Sequence, residues 1–282
     1  MNTSFRIAGT SRMWGMALAS TLCFVLGLVA AGWLLAPAEA IGGDKGPSTQ
    51  SILEKATAFH GGAKALGREL AIVRAEEGDM VMGDEKVTLK CEWQFQPPDK
   101  RAVQSIVKIG ALQMNVSQAV VGDKGWVKVG PALTSDLTPE QVHGLSWEHD
   151  NHVKNVQLLA TVQRTHTMTA PQPIRIGDRD AWQISFRDKK DKTRMFTAFF
   201  DKTTGQVLGD ETERVVAALG SNNSREKPSK YRVLFHTYVD VDGIKMPETM
   251  SIFRDGAIVV EVRKAQVRVV NAIDPKLFVK SN

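Results

Sequence analysis

Residues 231–247, YRVLFHTYVDVDGIKMP, form the clearest strand–turn–strand pattern in this chain. Side chains alternate between the two faces of a strand, so this stretch predicts a strand with one mainly apolar face. That face comprises Tyr231, Val233, Phe235, Thr237, Val239 and Val241. Asp242-Gly243 predicts a tight turn, after which a strand opens at Met246-Pro247 and runs to Arg254. A turn at Asp255-Gly256 leads into a longer strand over 257–270, with Val260 and Val262 on one face and Ala265 and Val267 on the other.

Alternation of this kind extends over most of the chain. It is strict from Lys86 to Gln96, and further strands are predicted over 102–109, 112–121, 125–129, 181–187, 194–201 and 206–213. Helical spacing predicts a helix opened by a capping box at Ser51 and Glu54, and a short helix from Ala63 to Leu70. One or two more helices are predicted between 139 and 163, where Thr138-Pro139-Glu140-Gln141 supplies the N-cap.

These elements predict one α+β domain over residues 41–282. Its centre is a single large, strongly curved antiparallel β-sheet, a half-open barrel, with helices on its concave face. A curled sheet that helices fill only in part leaves an apolar groove. The groove is predicted to be lined by Val87, Leu89, Trp93 and Phe95 of an early strand and by Val233, Phe235 and Val239 of a late one. Trp126, Trp147 and Trp182 are further candidates for core or groove.

The C-terminal pattern resembles a known family. Tyr231…Phe235, the run Tyr238 to Pro247, and Asn271…Ile273-Asp274-Pro275…Phe278 are similar to the outer-membrane lipoprotein-sorting superfamily, the LolA, LolB and RseB-like proteins of bacteria with two membranes. The helix ending at Gly61-Gly62 and the Pro-Asp-Lys turn at 98–100 agree with it. The resemblance implies a groove that holds acyl chains. Sorting carriers of this family hold a helical lid with an arginine, whose motif has no residue-by-residue match in this sequence.

The first forty residues predict export from the cytoplasm. Arg6 and Arg12 precede an uncharged, largely apolar run from Met13 to Leu35, and Ala38-Glu39-Ala40 has the small residues of a signal-peptidase site. We expect residues 1–40 to be a signal peptide cleaved after Ala40; an uncleaved anchor in the inner membrane is the alternative. Leu22 before Cys23 excludes a lipoprotein signal. The domain is therefore expected in the periplasm or cell envelope.

Composition narrows the classes of partner. The chain is 43% hydrophobic and 24% charged, which is ordinary for a globular protein with a sizeable core. Beyond residue 40 it has 34 basic and 30 acidic residues, interspersed in short groups without a basic stripe, so nucleic acid is not an expected partner. Cys91 would be the cysteine left after cleavage, and an inward-facing single cysteine behaves as a small hydrophobe. We expect a monomer.

A histidine-rich stretch is the one dense polar cluster in the sequence. His143, His149 and His152, with Glu148 and Asp150, supply ligand types that zinc prefers, but spacings of six and three do not enforce convergence. Common catalytic and nucleotide-binding motifs do not occur, so neither a cofactor nor a catalytic residue is predicted.

The leading hypothesis is a non-enzymatic carrier or binder of a lipid, a lipoprotein acyl chain or a similar amphiphile. An RseB-type sensor that binds a membrane-protein partner, and a metal-dependent hydrolase, are the alternatives.

Overall fold

The computed structural model describes residues 46–82, 85–131, 133–190, 192–214 and 228–280. The predicted signal peptide, its cleavage site and most of the polar stretch at 220–229 lie outside these ranges. In the described chain, fourteen strands form one antiparallel sheet that remains open, in the order β6-β5-β4-β3-β2-β1-β14-β13-β12-β11-β10-β9-β7, with β8 also paired to β9. The strands are β1 Ala71–Met82, β2 Glu85–Gln96, β3 Lys100–Ile109, β4 Leu112–Val121, β5 Lys124–Val129, β6 Leu133–Asp136, β7 His166–Met168, β8 Gln172–Ile176, β9 Arg179–Asp188, β10 Met195–Asp201, β11 Val207–Arg214, β12 Ser229–Val241, β13 Ile244–Arg254 and β14 Ala257–Val270.

The helices lie in two blocks of the sequence. They are α1 Thr49–Phe59, α2 Gly62–Leu66, α3 Pro139–His149 and α4 Leu159–Thr165, and a π-helical turn at Asp150–Lys154 and a 3-10 turn at Asn155–Leu158 join α3 to α4. A further 3-10 turn spans Pro275–Phe278. Within the ranges described above, none of these helices has the length and apolar character that a bilayer span requires.

The main core lies between the helices and one face of the sheet. Leu53 and Ala56 of α1, Val142 and Leu145 of α3 and Val162 of α4 are buried with the inward side chains of the strands. Burial of this apolar surface is the main favourable term in folding. The predicted fold class, one large open antiparallel sheet with helices on one face, is confirmed.

The predicted starts of α1 and α3 had different outcomes. Thr138 and Gln141 form the predicted capping box of α3. The capping box predicted for α1 is wrong, because Ser48 caps that helix by accepting a hydrogen bond from the backbone N–H of Ser51. Glu54 instead accepts a hydrogen bond from Gln50 one turn earlier.

His60 fixes the end of α1 to the sheet. Its Nδ1 lies 2.8 Å from the carbonyl oxygen of Lys245, and its Nε2 accepts a hydrogen bond of 3.1 Å from the backbone N–H of Val207. The proton is therefore on Nδ1. The Tyr238 hydroxyl donates to the carbonyl oxygen of the same Val207. Burial lowers the pKa of His60 to about 4, so the ring is neutral at neutral pH.

Irregular pairing changes two predicted faces. The register of β12 against β13 shifts on both sides of Thr237, so Thr237 is exposed and contacts Thr249, although alternation predicted it inward. Pro247 lies inside β13 beside this irregularity, not at the first residue of the strand. The register of β1 against β14 also shifts after Glu77, and Ala265 is buried in the same core as Val262.

Candidate functional site

A cavity of about 550 Å³ lies between the helical cover and the strands of the C-terminal half of the sheet. Phe186 of β9, Phe196 and Phe200 of β10 and Phe235 of β12 form its apolar floor. The rings of Phe186 and Phe196 stack with their centroids 4.8 Å apart. Opposite them, the helical cover contributes Val142 and Trp147 of α3, Leu158, and Leu159 and Val162 of α4.

The floor follows from the alternation of β10. Phe196, Ala198 and Phe200 occupy every second position, so all three side chains project to the face that carries the helices. The small side chain of Ala198 lies between two phenylalanines and leaves part of the space open. The opposite face of the same strand carries Phe199, which packs in a separate cluster with Ala181 and Leu208.

The rim of the cavity carries charges of both signs. Arg101 and Asp150 form an ion pair of 3.2 Å between β3 and the π-helical turn. Asp188 of β9 and Arg194 also border the cavity. His166 lies at the end of α4, where burial lowers its pKa. The arrangement suits a ligand with an apolar body and a polar end.

Most of the groove residues predicted from the sequence lie in or against the protein core, and one of them borders the cavity. Trp93, Phe95, Val233 and Phe235 are buried in the main core, and Leu89 and Val239 pack against it half-buried. Val87 is buried nearer the end of β2. Phe235 is the member of this set that borders the cavity; the other six do not. Of the candidate tryptophans, Trp147 borders it, whereas Trp126 and Trp182 do not.

A buried ion cluster fills the space over β1 and β2, where the sequence predicted part of the groove. Arg74 of β1 is fully buried and donates hydrogen bonds to the Glu76 carboxylate and to the carbonyl oxygen of Pro247. Glu76 also accepts a hydrogen bond of 2.8 Å from Trp93 Nε1 and lies 2.8 Å from His152 Nδ1. Burial alone would raise the pKa of Glu76, but His152 and Arg74 outweigh it and lower that pKa to about 2. The cluster therefore ties the π-helical turn to β1 and β2.

The three histidines of the predicted cluster do not share one site. His152 stacks on Trp93 with ring centroids 4.1 Å apart, and His149 is fully buried with its Nε2 2.7 Å from the carbonyl oxygen of Gln94. His143 is exposed and borders the cavity. Among the described residues, no group of three or more His, Cys, Asp or Glu side chains is placed to hold a metal ion.

Two sets of residues were missed by the sequence analysis. The phenylalanines of β9 and β10 lie in correctly predicted strands, and their every-second-position spacing could have assigned Phe196 and Phe200 to the groove. Arg74 and Glu76 also stand two apart, which places them on one face of a strand with Ile72. A charged pair on an apolar face is the signal that could have found the buried cluster.

Comparisons with known proteins show a shared fold. Protein-family models gave no match to the sequence, and curated proteins gave none. A solved structure of a DUF1329 family protein from Desulfovibrio piger ATCC 29098 aligns with a TM-score of 0.51 at 13% identity, over 82% of this chain and 96% of the other. A LolA superfamily protein from Nitrosomonas europaea aligns with a TM-score of 0.50 at 12% identity, over 83% and 98%. The resemblance to the LolA superfamily is therefore confirmed for the fold.

Proposed function

We propose that this protein is a non-enzymatic carrier or binder of an amphiphile, namely a lipid, a lipoprotein acyl chain or a similar molecule with one apolar chain. The observation that carries the proposal is the cavity over β9, β10 and β12. Its volume of about 550 Å³ falls within the roughly 300–1,000 Å³ of typical ligand sites, and its floor is aromatic and apolar. The LolA-type fold supports the same class of ligand, because the carriers that the sequence resembles hold acyl chains.

Binding in this cavity would be non-covalent. Each methylene group removed from water contributes about 0.8 kcal/mol, so a chain that reaches Phe186 and Phe200 gains affinity with length. The polar end of the ligand would stay at the rim near Arg101 and Arg194. Release then requires the α3–α4 segment to move, or a partner to draw the ligand out through the rim.

The expected location completes the proposal. Residues 1–40 would direct the chain out of the cytoplasm and be removed after Ala40, leaving residues 41–282 as the binding domain in the periplasm. A carrier is needed there, because a free apolar chain is poorly soluble in an aqueous compartment.

Native mass spectrometry of protein purified from membranes, with displacement of a fluorescent fatty acid, tests the proposal. Ala198→Leu adds bulk to the open space of the cavity, so it should lower the affinity at least tenfold and destabilise the fold less than the same change at a closely packed site. Ala181→Leu is the matched control on the opposite face of the sheet. Overpacking there should cost about 1–3 kcal/mol of stability and leave the affinity unchanged.

Two results would contradict the proposal. One is wild-type protein that is recovered empty and does not bind the fluorescent fatty acid. The other is an Ala198→Leu variant that binds it as tightly as the wild type does.

A further inference from the structure

The antiparallel order of the strands places their connections alternately at the two ends of the sheet. The β1–β2, β3–β4, β5–β6, β9–β10 and β13–β14 connections all fall at one end, which we call the hairpin rim. The β2–β3, β4–β5, β10–β11 and β12–β13 connections fall at the opposite end. The two ends can therefore be compared within one molecule.

Exposed apolar side chains concentrate at the hairpin rim. Among the described residues, eight large hydrophobic side chains are markedly exposed, and five lie within two positions of a rim connection. These five are Val81, Leu112, Leu133, Met195 and Ile258. Leu112 and Leu133, on neighbouring hairpins, are 65% and 61% exposed. At the opposite end, Val121 is 38% exposed, and Val279 in the segment after β14 is 64% exposed. Isolated exposed leucines are ordinary, but their concentration at one end of a sheet is informative.

One connection of the hairpin rim, between β9 and β10, is strongly basic. The segment 187–194, RDKKDKTR, contains five basic and two acidic residues and includes the β9–β10 connection. Lys190 and Lys192 are exposed there, while Lys189 binds carbonyl oxygens at the end of α4. Connections at the opposite end carry no comparable excess of positive charge: Asp123 stands beside Lys124 and Asp201 beside Lys202, and Asp240 and Asp242 are followed by Lys245.

We propose that the hairpin rim is a docking surface for an anionic lipid bilayer. Leucine and isoleucine at separate hairpin tips can each enter the headgroup region, and lysines near the surface are attracted to anionic lipids. A protein interface would instead need a contiguous, well-packed apolar centre, which side chains on separate hairpins interspersed with lysines do not provide.

The cavity extends to the hairpin rim, although Gly122 and Asp123 at the opposite end border it as well. Arg194 and Met195 belong to the hairpin rim and also border the cavity. A docked molecule would therefore hold the cavity border at Arg194 and Met195 close to the bilayer, so that an apolar chain could pass between the two with little exposure to water. Docking itself does not depend on the ligand, which allows the two proposals to be tested separately.

Flotation with phosphatidylcholine vesicles, with or without phosphatidylglycerol, tests the docking surface. Wild-type protein should float with the anionic vesicles and lose binding as salt is raised. Leu112→Asp with Leu133→Asp should weaken binding at least tenfold, whereas Val121→Asp at the opposite end should leave it unchanged. Lys190→Gln with Lys192→Gln should weaken it about 25-fold, at about fivefold per lysine, whereas Lys124→Gln with Lys276→Gln should not.

The outcomes are separable from those of the cavity test. Ala198→Leu should dock as the wild type does, even though its cavity is blocked. Circular dichroism confirms that each variant is folded before flotation. The proposal is overturned if wild-type protein ignores anionic vesicles, or if the opposite-end variants lose as much binding as the rim variants.

Discussion

Replacing Glu76 by glutamine removes the carboxylate that compensates Arg74 in the core. Arg74 is fully buried, so Glu76→Gln leaves its charge with neutral acceptors such as the carbonyl oxygen of Pro247. Removing one partner of a buried ion pair costs about 3–5 kcal/mol. We expect the free energy of unfolding at neutral pH to fall by that amount, measured by urea denaturation followed by circular dichroism and tryptophan fluorescence.

The pH dependence of the free energy of unfolding gives a second, independent measure of what Glu76 contributes. The pKa of Glu76 is lowered from 4.5 to about 2 in the folded protein. Because the folded value lies below the unfolded one, its contribution is complete above pH 4.5 and is lost as the pH falls through about 2. The lowered pKa of Glu76 corresponds to about 3 kcal/mol of the free energy of unfolding, of which about 2 kcal/mol is lost by about pH 3. The gap in stability between wild type and Glu76→Gln should therefore narrow by about 2 kcal/mol between about pH 7 and pH 3.

Glu77→Gln is the matched control. Glu77 is the next residue of β1, lies on the exposed face and pairs with Lys90 at 2.7 Å. Exposed ion pairs contribute little to the free energy of unfolding, so Glu77→Gln should leave the stability nearly unchanged at both pH values. Equal losses for the two variants, or a gap for Glu76→Gln that stays constant with pH, would refute the assigned role of the cluster.

Two further predictions concern the register of β2 and the anchor of α1. Leu89→Arg places a charge against the core and should cost several kcal/mol in urea unfolding, whereas Lys90→Glu on the exposed face should change little; the reverse order would mean that the register is shifted by one residue. An NMR titration of the His60 ring protons should have its midpoint near pH 4. Because this folded pKa lies below the unfolded value of 6.5, the free energy of unfolding should fall by up to about 3 kcal/mol as the pH drops from 6.5 to 4. A midpoint near 6.5 would contradict the burial of that ring.

Strict alternation made much of the fold predictable. The strands predicted over 112–121 and 257–270 match β4 and β14 residue for residue, and those predicted for β2 and β12 agree to within two residues. In β2 and β4 one face is mainly apolar and the other mainly polar, which is the signal of a half-buried antiparallel strand. The capping residues Thr138 and Gln141 located α3 with the same accuracy.

Strand β1 was missed because its inward face is partly charged. Arg74 and Glu76 follow Ile72 on the core side, so polarity no longer separates the two faces. Partners from β2, β13 and the π-helical turn make that burial favourable, and they are distant in sequence. A long-range ion cluster thus concealed a local pattern.

The position of the cavity could not be deduced from strand faces. Alternation shows which side of a strand is buried, but not which half of the sheet the helices fill. His149 and His152 bring the end of α3 and the π-helical turn down onto β1 and β2, so the predicted early-strand residues became core. The space over β10 remains because the cover there leaves Ala198 and its phenylalanine neighbours incompletely packed.

An open sheet has two unpaired edges, and their form bears on self-association. One edge is β6, four residues long with Thr134, Ser135 and Asp136. The other is divided into β7 and β8, with Pro171 between them and Pro173 within β8. Short strands, prolines and breaks deprive an incoming strand of a continuous ladder of hydrogen-bonding groups. The form of both edges therefore disfavours the edge-to-edge addition of further copies of the chain to this open sheet.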